Sequence, residues 1–254
     1  MAVFLGAPGV GKGTYASRVC RQLGLRHVVA GDLIRAEIAA GSAIGNQVRA
    51  ASQAGKLVDD RIVTSLVATA LHTALSTESC AGVVLDGFPR TVQQARTLEA
   101  GDSTSGIMPT NVSAAIQLKL DDEICLLKLA GRRTDARTGE GYNVSYIRTH
   151  GLDLPPMLPE PCVMDGDDLR CAHGVVIPPN SEVTCAKCTA HLVARADDNA
   201  AAWRVRFAEH HAMEEHVLAH YQAAGILSHY AVEGIPSVCL PGLVDLVSQK
   251  LGMA

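Results

Sequence analysis

The nine residues Gly6-Ala7-Pro8-Gly9-Val10-Gly11-Lys12-Gly13-Thr14 constrain this chain more than any other feature. They follow a short apolar run at 2–5 and lead into a helix-compatible stretch. A glycine-rich loop between strand and helix can turn its backbone N–H groups inward around phosphate oxygens, and the helix adds its positive end. Lys12 would reach the β- and γ-phosphates of a nucleotide. Gly9, Val10, Gly11, Lys12, Gly13 and Thr14 are therefore the expected cradle. The hydroxyl residue that usually follows the lysine is displaced from position 13 to Thr14, so Mg²⁺ is expected to be held largely through water. A second apolar run, Val83-Val84-Leu85-Asp86, ends in an acid placed to order Mg²⁺ or its waters.

Around the loop, short apolar runs (2–5, 27–29, 82–85, 114–120 and 229–232) alternate with amphipathic stretches. That alternation predicts an α/β fold with a doubly wound, five-stranded parallel sheet. In 59–75, Ile62, Leu66, Ala70 and Ala74 recur every four residues beside Val63, Val67 and Leu71, which predicts a helix with a broad apolar stripe. Helices are also expected over 91–100 and 200–224. From 134 to 194 helical periodicity is absent, and six prolines and four of the eight cysteines gather there. A structureless loop of that length is improbable in a compact domain, so the stretch is expected to be a small β-rich lobe.

Composition narrows the function classes. With 254 residues, 48% apolar and a net charge of −4, the chain can bury a core without disulfides and is not expected to be extensively disordered. No apolar run approaches the ~20 residues of a membrane span. The acidic balance argues against a nucleic-acid surface. The first residues run straight into the glycine loop, so no targeting peptide is expected and the protein is expected to be cytoplasmic. Of 22 basic residues, 16 are arginine and 6 lysine. Arginine's planar fork suits paired phosphate oxygens.

The motifs together carry a family resemblance. GAPGVGKGT, GDLIR at 31–35, GKLVDD at 55–60, LDGFPRT at 85–91, GRR at 131–133 and ARADDN at 194–199 occur in the order seen in the adenylate kinase group of nucleoside monophosphate kinases. The chain resembles that group over nearly its whole length. The resemblance implies a P-loop core at 1–29, 60–130 and 199–254, a small helical NMP-binding lobe at 30–59, and a β-rich lid at 131–198. It implies reversible phosphoryl transfer from ATP to AMP by a monomer. It further implies that Arg35 and Arg90 hold the acceptor phosphate, that Ala30, Lys56, Leu57 and Val58 line the acceptor nucleoside with Gly87, Phe88 and Pro89, and that Gln94 reads adenine. Arg132, Gly141 and Tyr142 would lie by the donor. Arg195 and Arg206 would converge on the transferring phosphoryl, with Asp197 and Asp198 supporting them. Ala30, where adenylate kinases commonly carry Thr, keeps UMP or CMP open as acceptor. Lys128, where an Arg usually stacks on the donor adenine, and Asn143 keep GTP open as donor. A non-catalytic nucleotide-binding switch would leave Arg35, Arg90 and Gln94 without a task.

The lid departs from its relatives. Asn143 and His173 compete for one family position, which implies an insertion of about thirty residues at 144–172. Cys185-x2-Cys188 is half of a tetrahedral zinc site, and Cys171 and His173 lie near enough in sequence to complete it. Reduced thiols in a lid held by hydrogen bonds through Asp135 and Thr138 are the alternative. Cys20, Cys80, Cys125 and Cys239 read as small buried hydrophobes. His210, His211, His216 and His220, interleaved with Glu209, Glu214 and Glu215, read as a solvated helix face.

Overall fold

The computed structural model describes residues 1–76, 80–136, 138–159, 162–165, 168–171, 176–177, 191–195 and 197–253, with the three segments inside 162–177 described by backbone alone. Strand β1 (Ala2–Leu5) is buried at every position, and its pleat splits the core. Ala2 and Phe4 pack in one apolar layer, Val3 and Leu5 in the other. A strand apolar on both faces belongs inside a parallel sheet covered by helices on both sides. Here β1 lies at the centre of the order β13-β4-β1-β3-β2, with β2 (Arg26–Val29), β3 (Val83–Asp86), β4 (Ala114–Lys119) and β13 (Leu227–Ala231), all parallel.

Helix α1 (Lys12–Leu23) runs from the glycine loop. Helices α2 (Ala30–Ala40) and α3 (Ala43–Gln53) pack against each other before α4 (Asp60–Leu75) returns to the sheet. Helices α5 (Val92–Ala100), α6 (Asp122–Ala130), α7 (Ala200–Ala223) and α8 (Pro236–Leu251) complete the two layers. Thr91, Asp121 and Asn199 cap α5, α6 and α7 through side-chain oxygens, as their sequence positions favour. None of the described helices is long and apolar enough to cross a membrane.

The expected fold class is observed, with instructive differences. The face of α4 that meets the sheet is Val63, Thr64, Val67, Ala68 and Leu71, while Ile62, Leu66 and Ala70 are half-buried at its edge. A stripe this broad does not reveal which of its edges the sheet will choose. Helix α8 escapes the periodicity reading because Pro236 and Pro241 interrupt it. Yet Pro236 sits at the first turn, where its missing N–H costs nothing.

Between α6 and α7 the chain is β-rich. Strand β5 (Arg132–Asp135) pairs with β6 (Gly141–Asn143) and β12 (Leu192–Val193). A hairpin of β7 (Ile147–Thr149) and β8 (Leu152–Leu154) falls in the expected insertion. It is seated on α6 by Ile147 and Leu154 against Ile124, all buried. Burying each of these side chains contributes about 1.5–3 kcal/mol, enough to hold so short a hairpin. The chain then returns to β6, where Met157 and Asn143 exchange backbone hydrogen bonds of 2.8 and 2.9 Å. A three-stranded sheet follows, of β9 (Cys162–Asp165), β10 (Asp168–Cys171) and β11 (Val176–Ile177). The zinc candidates His173, Cys185 and Cys188, and the side chain of Cys171, lie outside the described residues. Cys20, Cys125 and Cys239 are buried as expected, and Cys80 is half-buried.

Candidate active site

Parallel strands end at one edge of their sheet, and a ligand crevice forms where neighbouring strands send their connections in opposite directions. β1 is that strand here. Register places Phe4 beside Asp86, so the glycine loop and the terminal acid of β3 share the carboxyl edge. They open into a cavity of about 690 Å³.

The loop is built by close approach. Gly9 holds φ +89°, and a Cβ there would stand 2.3 Å from the carbonyl oxygen of Cys125 on α6. Lys12 Nζ donates to the carbonyls of Gly6 (2.6 Å) and Ala7 (3.0 Å). Burial holds its ammonium below the ordinary lysine value, with Asp86 opposing that shift. Asp86 is itself buried, which pushes its carboxyl up, but the imidazole of His27 at 3.7 Å, Lys12 and Arg90 more than offset this and hold it low. A Cβ on Gly13 would lie 3.3 Å from Asp86 Oδ2, so a side chain at 13 would crowd this carboxylate. Lys128 does not stand free: its Nζ donates to the Val10 carbonyl at 2.9 Å, and Asn143 Nδ2 donates to the Lys128 carbonyl at 2.8 Å.

On another part of the same cavity Arg90 donates from Nε to the Gly87 carbonyl at 3.0 Å. Its guanidinium is held below the ordinary arginine value by the depth of the cleft, against the pull of Asp86 and with the like charges of Arg206 and Arg35 adding to the effect. Gln94 is buried, accepting from the Arg90 backbone N–H at 2.7 Å and donating to Asp60 at 2.8 Å. The arginines form a network. Arg132 donates to both oxygens of Asp198, Arg206 pairs with Asp197 and lies 3.7 Å from Asp198, and Arg35 pairs with Asp32 and lies 3.8 Å from Asp197. Arg195 reaches Thr134 Oγ1 at 3.4 Å, and burial first, then Arg35 and Arg132, brings its guanidinium down to about 10. Cations that depress one another in this way favour an anion between them.

Most residues singled out from the sequence line this one cavity: Ala30, Arg35, Lys56, Leu57, Val58, Asp86, Gly87, Pro89, Arg90, Gln94, Arg132, Gly141, Tyr142, Arg195, Asp197 and Arg206, with Gly9, Gly11, Lys12, Gly13 and Thr14. Asp198, expected to support the arginines, does so from behind the wall: its side chain is 1% exposed, pairs with Arg132 and lies 3.7 Å from Arg206. Two expectations need correction. Phe88 and the Val10 side chain are buried in the core and do not line the cavity. His210, expected on a solvated face, lines the cavity and pairs with Glu214 at 3.0 Å, while Gln117 donates to the other oxygen of Glu214 at 2.8 Å. Helical spacing placed His210 among charged neighbours but could not show that this face turns toward the crevice. His27 lies in no motif, and Asp60, although it closes GKLVDD, is given no role there; both partnerships emerge only in three dimensions.

The carboxylates carry a pH consequence. Burial pushes Asp197 and Glu214 up, but Arg206 and His210 respectively pull them further down. A carboxyl lowered on folding stabilises above its unfolded value of about 4, and that contribution is lost as pH falls through the lowered folded value. Melting temperature should therefore stay nearly level from pH 7 to 5 and fall below about pH 4. Asp197→Asn should flatten the acid limb in a pH series of thermal melts, and an unchanged limb would assign the acid loss elsewhere.

A parallel sheet with a glycine loop, a half-buried lysine and an arginine array on one cleft defines the P-loop class of nucleotide phosphotransferases. A family model described as adenylate kinase matches residues 4–226. The chain is 36% identical over 238 residues to the probable adenylate kinase 6, chloroplastic, of Arabidopsis thaliana, covering 91% of this chain and 69% of that one. It is 34% identical to an adenylate kinase of Nitrosococcus oceani, over 92% of this chain and 90% of that one, and 33% identical to one from Thermodesulfovibrio yellowstonii, over 93% and 92%. The chain belongs to the adenylate kinase family.

Proposed function

We propose that this chain transfers the terminal phosphoryl group of ATP to AMP, reversibly, giving two nucleoside diphosphates. One observation carries the reading: the cavity that holds the donor loop is also lined by Arg35, Arg90, Gln94 and residues 56–58, a second set of groups suited to a phosphate and a base. A hydrolase or switch needs only the first set. In this reading 30–59 is the acceptor lobe, 131–198 the lid and the remainder the core.

Phosphoryl transfer asks little covalent work of a protein, so rate comes from placement and charge. Loop N–H groups and Lys12 fix the donor phosphates. Arg35 and Arg90 hold the acceptor phosphate so that its oxygen is the nucleophile. Arg132, Arg195 and Arg206 neutralise charge on the migrating group, Arg132 and Arg206 exchanging their Asp197 and Asp198 partners for phosphate oxygens as it arrives. The lid excludes water, which would otherwise take the phosphoryl group. Asp86 and Thr14 offer a buried carboxylate and a nearby hydroxyl on the cavity wall, hard oxygen donors that suit Mg²⁺ and its waters. The chemistry a bound Mg²⁺ supplies is neutralisation of the β- and γ-phosphate oxygens.

The test is a matrix of ATP and GTP against AMP, CMP and UMP. The highest kcat/KM is expected for ATP with AMP. Faster turnover of CMP or UMP overturns the acceptor assignment, and preference for GTP overturns the donor.

A further inference from the structure

We infer that Asp60 sets acceptor-base specificity by locking the Gln94 amide in one of its two flip states. The inference rests on the acceptor reading proposed above. The two faces of a side-chain amide are nearly equal in shape and opposite in chemistry, one accepting and one donating. What fixes an amide is the chemistry of its partners. Here they are unambiguous: the Arg90 backbone N–H can only donate, and the Asp60 carboxylate, when ionised, can only accept. Gln94 Oε1 therefore faces Arg90 N (2.7 Å) and Nε2 faces Asp60 Oδ1 (2.8 Å). The flipped amide would set oxygen against carboxylate and N–H against N–H.

Asp60 is held for this task. Its second oxygen accepts from Thr91 Oγ1 at 2.8 Å, and the same hydroxyl accepts from the Gln94 backbone N–H at 3.1 Å. The three residues form a closed ring joining the start of α4 to the cap of α5. Asp60 is not needed to cap its own helix, since the neighbouring Asp59 accepts from Arg61 N at 2.9 Å.

The locked amide, buried in the cavity wall, retains one uncommitted N–H and one uncommitted oxygen lone pair. Adenine matches such a pair with one ring-nitrogen acceptor and its exocyclic amino donor. A 6-oxopurine of the same shape carries an acceptor at the exocyclic position and a protonated N1, so donor and acceptor are exchanged. Against a fixed amide it meets like with like. Against an amide free to flip it would be tolerated. Asp60 is in this sense a positioning residue, acting on the base through Gln94.

The experiment compares kcat/KM for AMP and for inosine monophosphate, or the latter's inhibition constant against AMP where turnover is too slow. The parent, Asp60→Asn, Asp60→Ala and Gln94→Leu are measured with ATP as donor. Asp60→Asn keeps shape but lets its own amide present N–H groups to Gln94. Both Asp60 variants are expected to reduce the AMP preference about tenfold or more, within the range a bidentate base contact discriminates. The loss should fall mainly on KM for AMP, with the KM for ATP unmoved, a split that simple loosening of the fold would not give. If the preference stays within twofold of the parent's in both Asp60 variants while Gln94→Leu abolishes it, the Asp60 inference is overturned and the acceptor reading stands. If Gln94→Leu also leaves it unmoved, both are overturned.

Discussion

Replacing Arg90 by Ala is expected to lower kcat about a thousandfold while leaving the melting temperature within a few degrees of the parent. The size follows from what a single charged donor aimed at transferring phosphate contributes in a water-poor cleft, roughly 10²–10³ or more. The small stability effect follows from position. The Arg90 side chain is open to the cleft and, among the described residues, makes one hydrogen bond of its own, to the Gly87 carbonyl. Its backbone N–H, which holds Gln94, survives the substitution. Loss of Arg90 gives up its attraction to Asp86 but also relieves the repulsion with Arg206 and Arg35, so the two charge effects oppose each other. Arg90→Lys should recover only part of the rate, because a point charge cannot reproduce the bidentate fork. Steady-state kinetics with thermal melting decides the matter, and near-normal turnover in Arg90→Ala would remove the assigned role.

Gly9→Ala is expected to destabilise the fold by about 3 kcal/mol or more and to weaken donor binding at least a hundredfold. Two costs combine: a left-handed backbone costs a residue with a Cβ about 1–2 kcal/mol, and forcing an atom into packed structure about 1–3. The obstructing atoms are the backbone carbonyl of Cys125, at 2.3 Å from the oxygen and 2.9 Å from the carbon, so no side-chain rotation can relieve the contact. Either α6 or the loop must move, and the loop's N–H groups would leave their arrangement. Gly24 supplies the control. It caps α1 at φ +66° with nothing within 4 Å of its would-be Cβ. Gly24→Ala should therefore cost only the conformational term, about 1 kcal/mol, which is roughly 2–4 °C for a chain of this size. Equal losses in the two variants would show that strain alone, without the close approach to Cys125, governs the loop.

What could be read in advance divides by range along the chain. The glycine loop, the Asp86 strand end and the LDGFPRT and ARADDN motifs are local patterns: most of the glycine loop lines the cavity, LDGFPRT contributes Asp86, Gly87, Pro89 and Arg90, and ARADDN contributes Arg195 and Asp197. Strands β1 and β4 were legible because burial on both faces leaves a continuous apolar run. Helix α6, nine residues long and apolar on more than one side, gave no periodicity to count. The roles of His27, Asp60 and His210 were hidden for another reason. Each is one polar residue whose partner stands elsewhere in sequence or across a helix face: His27 against Asp86, Asp60 against Gln94 34 residues on, His210 turned into the cleft.

By itself the sequence determined the α/β class, the glycine loop between strand and helix, and which arginines stand in motifs, because each depends on local backbone geometry or on a short run of neighbouring residues. Only the tertiary structure decided which face of α4 and α7 turns inward, which loop carbonyl receives Lys128, and how Asp197 and Asp198 divide the arginines between them. Those choices are made by contacts between elements far apart in the chain. Local preference is indifferent to them, and packing and electrostatics settle them only once the sheet has brought its strand ends together.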